Sequence, residues 1–405
     1  MTKKPGLLFV VNDFNVGGAE LFVLRLGKAL SSVYRIYILD IYPDQSNLDF
    51  KRNFEENGFT FIERYTPLSK MRETIYWKLN SLYQLMGKKG QFSILKKKYQ
   101  ENQLQRFIDQ EDIRLIHSHY YSSDCFTRNF LKKKYRKWVI TMHGGYNQRV
   151  YMNLSEQDRA SFLENARKNI DACDAMTYVA DVNLEILEEI RTTPKQMKKI
   201  RLGLELDRNL IQSADTKKSI FTYCMVARAD REKGWEIAVE AFQSLHAKHP
   251  DTRLIVVGPI EGVILELFEK QKENTSITFT DYTNQPSEFI RQSDVCLLPT
   301  YFEGESSPYS VIEYLSCGKP VISTNKGEIP DMLNVDGHKA GLLIDLNNEG
   351  IPEVNDLVNA MEKLLVDRNL YAELSGLTNT AFSKFTMERC KNEYIKLYNK
   401  LECAE

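Results

Sequence analysis

Short apolar runs alternate with helix-compatible stretches twice along this chain, on either side of a polar, basic stretch near residue 200. Leu7–Val11, Tyr34–Ile41, Ile113–His117, Trp138–Met142 and Ala175–Ala180 make the first series of strand-like runs. Phe221–Val226, Leu254–Val257, Ile277–Phe279, Val295–Leu298 and Pro320–Ser323 make the second. Strands that alternate with helices build a parallel, doubly wound sheet, so the fold class expected is α/β. The first helix shows the pattern, with Phe22, Leu26, Ala29 and Leu30 on one face after Ala19. At 405 residues the chain is too long for one ordinary core, and two units of roughly 200 residues each fit it. The division expected is residues 1–203, residues 204–385, and a terminal helix over 386–405. Ligands of such sheets sit at the carboxyl ends of the strands, which is where chemistry is to be sought.

Charge is almost balanced overall but split along the chain. Residues 1–200 carry 32 Lys+Arg against 23 Asp+Glu, a net of +9, and the remainder carries 22 against 32, a net of −10. A basic half fits an anionic partner such as nucleic acid, a membrane surface or a phosphorylated lipid. No nucleic-acid-reading motif occurs, so no nucleic acid is expected. Between Thr66 and Phe107, Ile75, Leu79, Leu82 and Met86 share a helical face, with Tyr76, Trp77 and Tyr83 nearby and Lys88, Lys89 and Lys96–Lys98 following. Lys132–Lys134, Arg136 and Lys137 add a second basic cluster. Basic residues beside aromatics suit anionic lipid headgroups, and a core-facing helix with solvated lysines is the competing reading.

Seven cysteines lie scattered, with no C-x-x-C pair and no metal-ligand rhythm, which points to a reducing compartment. The apolar run Leu7–Val11 is too short for a signal peptide's core. No stretch approaches the ~20 apolar residues that span a bilayer. The location expected is the cytoplasm, with contact to the inner face of a membrane.

Two segments of the second half carry chemistry. In Val226-Ala-Arg-Ala-Asp-Arg-Glu-Lys-Gly234, Arg228 and Lys233 bracket a loop between a strand and a helix start near Trp235. Two cations beside the free N–H groups of a first helical turn make a pyrophosphate site. In the second, Ser307 before Pro308 reads as a capping hydroxyl and a proline at the first helical position. The amides of Tyr309, Ser310 and Val311 then face an anion. Glu305 precedes that helix and Glu313 lies inside it. Carboxylates beside a phosphate repel it unless they bind hydroxyls, and sugar hydroxyls are the obvious partners.

These residues resemble those of glycosyltransferase family 4 (group 1), whose members have the two-domain GT-B fold of paired Rossmann-like domains facing across a cleft. Glu305 and Glu313 match its Glu-x7-Glu motif, Cys317-Gly-Lys-Pro-Val-Ile322 its Gly-x-Pro-Val-Ile run, and Arg228, Lys233 and Gly234 its Arg…Lys-Gly loop. Gly17 and Gly18, within Val16-Gly-Gly-Ala-Glu20, match its Gly-Gly loop after the first strand. The resemblance implies a retaining transfer from a nucleotide-diphosphate sugar to a glycan or lipid-linked acceptor, as in surface or capsular polysaccharide assembly. Arg228 and Lys233 would grip the donor diphosphate, together with amides around Ser310 and Val311. Glu313 would hold the ribose, Glu305 the donor sugar, and Tyr282-Thr283-Asn284 would lie near the base. Gly258, one residue past a strand, suits close approach of a ligand.

His143 of His-Gly-Gly145 matches a histidine the family places at the cleft, and would hydrogen-bond donor sugar or phosphate. His119, Tyr146 and Arg149 are candidates on the acceptor side. The family's Glu-Gly-Phe-Gly is replaced by Glu305-Ser-Ser-Pro308, and Glu303 is a second candidate carboxylate two residues earlier. No Asp-x-Asp metal motif is present, so neither a metal nor another cofactor is expected. The competing functions are a non-catalytic nucleotide-sugar-binding partner of another transferase and a nucleotide-sugar epimerase on the same fold.

Overall fold

A strand covered by helices on both faces must be apolar on both sides, and all six residues of β1 (Gly6–Val11) are buried. The computed structural model describes residues 4–14, 17–62, 102–131, 136–144, 146, 154–206 and 220–403. Around β1 a first sheet assembles from β2 (Arg35–Asp40), β3 (Thr60–Phe61), β4 (Ile113–His119), β5 (Lys137–Met142), β6 (Ala175–Tyr178) and β7 (Met197–Lys199). Its order is β3-β2-β1-β4-β5-β6-β7, parallel throughout.

A second sheet is built from β8 (Phe221–Val226), β9 (Thr252–Val257), β10 (Ile277–Thr280), β11 (Val295–Leu298) and β12 (Val321–Thr324). After an antiparallel hairpin of β13 (Asn334–Val335) and β14 (His338–Lys339), β15 (Gly341–Ile344) joins its edge. The order is β10-β9-β8-β11-β12-β15. The architecture is two Rossmann-like, doubly wound domains.

In each sheet the order of connection reverses beside the first strand: β1 lies between β2 and β4, and β8 between β9 and β11. Loops leaving the carboxyl ends of strands diverge at such a point and leave a crevice. Helices α1 (Gly18–Leu30), α2 (Trp235–Lys248) and α3 (Tyr309–Ser316) follow β1, β8 and β11, and α4 (Met387–Cys403) closes the described chain. The site is therefore laid between these two crevices.

Several elements differ from the sequence reading. β4 runs two residues beyond His117, so His119 is inside the sheet and not in a loop. β7 and β15 were not anticipated; β7 is the polar edge sequence Met197-Lys198-Lys199, which lacks the apolar signature of a central strand.

Past β7 the chain is pinned to the end of the second domain. The Leu204 N–H donates to the Phe385 carbonyl (2.8 Å), and the Met387 N–H donates back to the Leu204 carbonyl (2.9 Å). Helix α4 then buries Met387, Cys390, Tyr394, Leu397, Tyr398 and Leu401. It lies on the first domain: the Tyr398 hydroxyl is 2.7 Å from His117 Nδ1, and the Tyr394 hydroxyl is 3.1 Å from both Thr141 and Thr177. Large apolar side chains buried this way stabilise by about 1.5–3 kcal/mol each, so α4 is a strong clasp between the domains.

Polar contacts reinforce the clasp. The Asp181 N–H donates to Glu328 Oε2 (3.0 Å), Lys199 bonds both Asp181 and Glu328, and Arg201 pairs with Asp331 (2.7 Å). No described helix is long and apolar enough to cross a membrane. Most of the aromatic and basic segment read as lipid-facing falls within 63–101, outside the described residues, as do Lys132–Lys134.

Candidate active site

The loop leaving β8 is shaped by a turn that only glycine allows. Residues Arg231–Lys233 form a single 3₁₀ turn that ends at Gly234, whose φ is +87°. A Cβ there would also fall 2.2 Å from the Pro299 carbonyl oxygen. Trp235, fully buried at the head of α2, donates its indole N–H to the Arg228 carbonyl (2.8 Å) and fixes the rest of the loop. Arg228 remains more than half exposed and pairs with Asp230 at 2.9 Å. Lys233 turns inward and is buried.

The buried Lys233 meets Glu305, 72 residues away in sequence, and donates from Nζ to Oε2 at 2.7 Å. The Thr300 hydroxyl donates to the same oxygen at 2.8 Å, so Oε1 is left outside both bonds. The Lys233 Nζ also lies 4.8 Å above the Phe302 ring. Two groups read from the sequence as separate phosphate and sugar ligands are thus one ion pair. Glu303 points elsewhere, about half exposed and paired with Lys326 at 2.9 Å.

Helix α3 begins differently from the sequence reading. Its capping position is Pro308, with no side-chain cap, and Tyr309 is the first helical residue. The Ser307 hydroxyl faces Met332 Sδ at 3.7 Å instead of capping the helix. The Val311 N–H is consumed by the Pro308 carbonyl (3.2 Å), whereas the amides of Tyr309 and Ser310 meet no acceptor among the described residues. One turn on, Glu313 accepts from Arg25 Nη2 of α1 at 3.1 Å. Burial raises the Glu313 carboxyl above its ordinary range, and Arg25 works against that rise.

Tyr282 stands at the lip, about half exposed, donating to Asn284 Oδ1 at 2.8 Å. Thr283 turns its hydroxyl to the Gln285 N–H (3.0 Å). Gly258 has a different use from the one anticipated. A Cβ there would lie 2.4 Å from the Ala227 carbonyl and 2.9 Å from Ile264 Cδ1, so the packing around it already requires a glycine.

The first domain supplies the facing wall. Gly17 occupies the capping position of α1 with extended backbone, and a Cβ on Gly18 would touch the Tyr309 ring at 3.7 Å. Helices α1 and α3 therefore face each other head to head across the cleft. Beside them the Glu20 carboxyl is buried and pushed up to about 7, chiefly by burial; Tyr120 hydrogen-bonds it, and Arg228 across the cleft pulls the other way. In the sequence Glu20 is only the end of a glycine motif, and nothing in its spacing marks it as a titrating group. Tyr120 is held at a φ of +76°, a strained conformation for a tyrosine.

His119 Nδ1 and His143 Nε2 are 2.9 Å apart, within hydrogen-bond distance. Burial holds His143 down to about 3, so it is neutral near pH 7 and available as a hydrogen-bond partner. His119 Nε2 is buried and has no partner among the described residues. Tyr146 does not reach the acceptor side: it is 1% exposed, and its hydroxyl donates to Asp124 and accepts from Asn169. Arg149 lies outside the described residues. Among the described residues there is no cluster of three His, Cys, Asp or Glu that could hold a metal ion.

Residues 207–376 match the family model described as glycosyl transferases group 1. D-inositol 3-phosphate glycosyltransferase of Corynebacterium jeikeium (strain K411) is 28% identical over 190 residues, 44% of this chain and 43% of that protein. A glycosyltransferase named for colanic acid biosynthesis, WcaL of Salmonella typhimurium, is 26% identical over 183 residues, 43% of this chain and 45% of its own length. This chain thus spans less than half the length of either relative. The crystal structure of Anabaena Alr3699/HepE in complex with UDP has a TM-score of 0.74 at 13% identity, covering 98% of this chain and 100% of that one. Residues 207–376 are thus similar to the group 1 glycosyltransferases, and the whole chain has the two-domain GT-B fold.

Proposed function

We propose that this chain is a retaining glycosyltransferase that moves a hexosyl group from a nucleotide-diphosphate sugar to a glycan or lipid-linked acceptor. The observation that carries the reading is the buried Lys233–Glu305 pair, set on the loops after neighbouring strands β8 and β11 and beside the open amides of α3. A cation, a carboxylate with one oxygen to spare and two unmet N–H donors suit a diphosphate joined to a polyhydroxylated ring. The same fold in Anabaena HepE was crystallised with UDP and with UDP-glucose, which supports a nucleotide-sugar donor. The naming of WcaL for colanic acid supports a role in surface polysaccharide or glycoconjugate assembly.

In this reading Arg228, Lys233 and the amides of Tyr309 and Ser310 hold the diphosphate and supply the positive charge that a metal ion would otherwise bring. Glu313 accepts from the ribose hydroxyls, the Tyr282–Asn284 loop lies beside the base, and Glu305 Oε1 accepts from a hydroxyl of the sugar. Neutral His143 hydrogen-bonds the sugar or phosphate from the other wall. The bond from the anomeric carbon to the phosphate oxygen breaks as the acceptor oxygen attacks from the same face, and the departing phosphate takes the acceptor's proton. No protein nucleophile is needed, because stabilising charge on the leaving group does most of the work.

The test is binding and slow hydrolysis across UDP-, GDP- and ADP-sugars, wild type beside Lys233→Ala and Glu305→Gln. Binding of one donor, with hydrolysis lost in both variants, is the expected outcome. Binding by none of the donors would overturn the proposal. Binding with no turnover, even with candidate acceptors present, would favour a non-catalytic nucleotide-sugar-binding partner.

A further inference from the structure

Arg25 belongs to no motif singled out in the sequence, yet it crosses the cleft from α1 into the donor side. Its Nη2 donates to Glu313 Oε1 at 3.1 Å, and its guanidinium lies 4.5 Å from the centre of the Tyr309 ring. Tyr282, at the lip, is close enough to feel the charges of both Arg25 and Glu313. The other nitrogen, Nη1, is buried with no hydrogen-bond acceptor among the described residues. The amides of Tyr309 and Ser310 are also without acceptors among the described residues. A buried guanidinium nitrogen without an acceptor is costly unless an acceptor-rich anion completes it, and the open amides belong to the head of the helix whose Tyr309 ring Arg25 covers.

We propose that Arg25 is a donor-binding residue supplied by the N-terminal domain, which aims Glu313 at the ribose through Nη2 and takes an oxygen of the nucleoside diphosphate through Nη1. This inference rests on the donor-site reading above and adds a residue, and a coupling, that the reading does not contain. Because Arg25 and Glu313 lie on different domains, a diphosphate held by Nη1 would add to a contact that already joins the two walls of the cleft. Arg25 has a second effect through charge. Glu313 is faced by Arg25 from α1, by Tyr282 from the loop after β10, and by Tyr309 and Tyr314 of its own helix. Arg25 is the one cation among these four, so it opposes the effect of burial and favours the ionised carboxylate.

The experiment is calorimetric binding of UDP, GDP and ADP to wild type, Arg25→Gln, Arg25→Lys and Glu313→Gln across a pH series, with a thermal melt of each variant. Arg25→Gln is expected to raise Kd for the nucleotide that binds by about 10- to 100-fold, the range of one charge-assisted hydrogen bond. The ratio of its Kd to the wild-type value should grow as pH falls, because Glu313 without the opposing charge of Arg25 is protonated more readily. Repeating the series with the nucleotide sugar, which has no terminal phosphate monoester to titrate, separates Glu313 from the titration of the nucleotide itself. Arg25→Lys keeps the charge and should restore the flat ratio without full affinity. A folded Arg25→Gln that binds as tightly as wild type overturns this inference and leaves the donor-site reading standing. A pH-independent ratio also overturns it, since a plain structural strut would behave that way. Wild type that binds none of the three nucleotides overturns both.

Discussion

Removing one charge of the Lys233–Glu305 pair should cost more than removing both. The side chains are only 10% and 5% exposed and meet at 2.7 Å. Lys233→Met keeps the length of the stem but leaves Glu305 buried with the Thr300 hydroxyl as its only partner of the present two. Breaking a buried pair this way costs about 3–5 kcal/mol, whereas replacing both charges is often close to neutral. For a domain of this size ~3 kcal/mol lowers Tm by roughly 6–12 °C. The double variant Lys233→Met/Glu305→Gln should therefore melt above Lys233→Met, despite carrying one more change. Circular-dichroism melts of wild type, both single variants and the double variant form a complete cycle. Coupling above about 1.5 kcal/mol, with the double variant the more stable, is the expected result. Additive losses would refute the ion-pair reasoning, and a Lys233→Met melt unchanged from wild type would show that the pair is not buried as described.

Other perturbations test other parts of the account. Asp124 is fully buried between Ser118 and Tyr146 and is pushed up to about 7 by burial. A carboxyl raised in the folded state contributes stability that is present at low pH and lost as pH rises from its unfolded value toward about 7. Asp124→Asn should therefore gain on wild type by up to ~1.4 kcal/mol per pH unit between about pH 5 and 7, then level off; a pH-independent offset in urea melts would contradict this. Gly234→Ala, at φ +87° and 2.2 Å from a carbonyl oxygen, should cost at least ~2 kcal/mol and weaken nucleotide binding by disturbing the Arg228–Lys233 loop. The basic, aromatic segment of the first half should bring the protein down with anionic liposomes, less so as salt is raised; sedimentation indifferent to lipid charge would remove that proposal.

Central strands were legible because burial on both faces forces unbroken apolar runs, as in Leu7–Val11 and Val295–Leu298. Edge strands lack that constraint, which is why Met197-Lys198-Lys199 read as a basic linker. The loops were found by their glycines and cations, but what those cations touch was not. Lys233 and Glu305 are 72 residues apart and Arg25 and Glu313 are 288 apart, and only the packing of helices on two sheets brings each pair together. Tyr146 is an acceptor-side candidate in the sequence but a core residue in the fold. Asp124 and Asn169, which draw it into the core instead, come from other elements. Ser307 satisfies a local capping rule, but Pro308 has extended backbone, so the helix starts at Tyr309.

The most direct test of the central claim is a crystal structure of the chain with the nucleoside diphosphate that binds it. The account places the phosphates against the Tyr309 and Ser310 amides, within reach of Arg228 and Lys233, with the ribose on Glu313. A nucleotide seated away from the loops after β8 and β11 would contradict it.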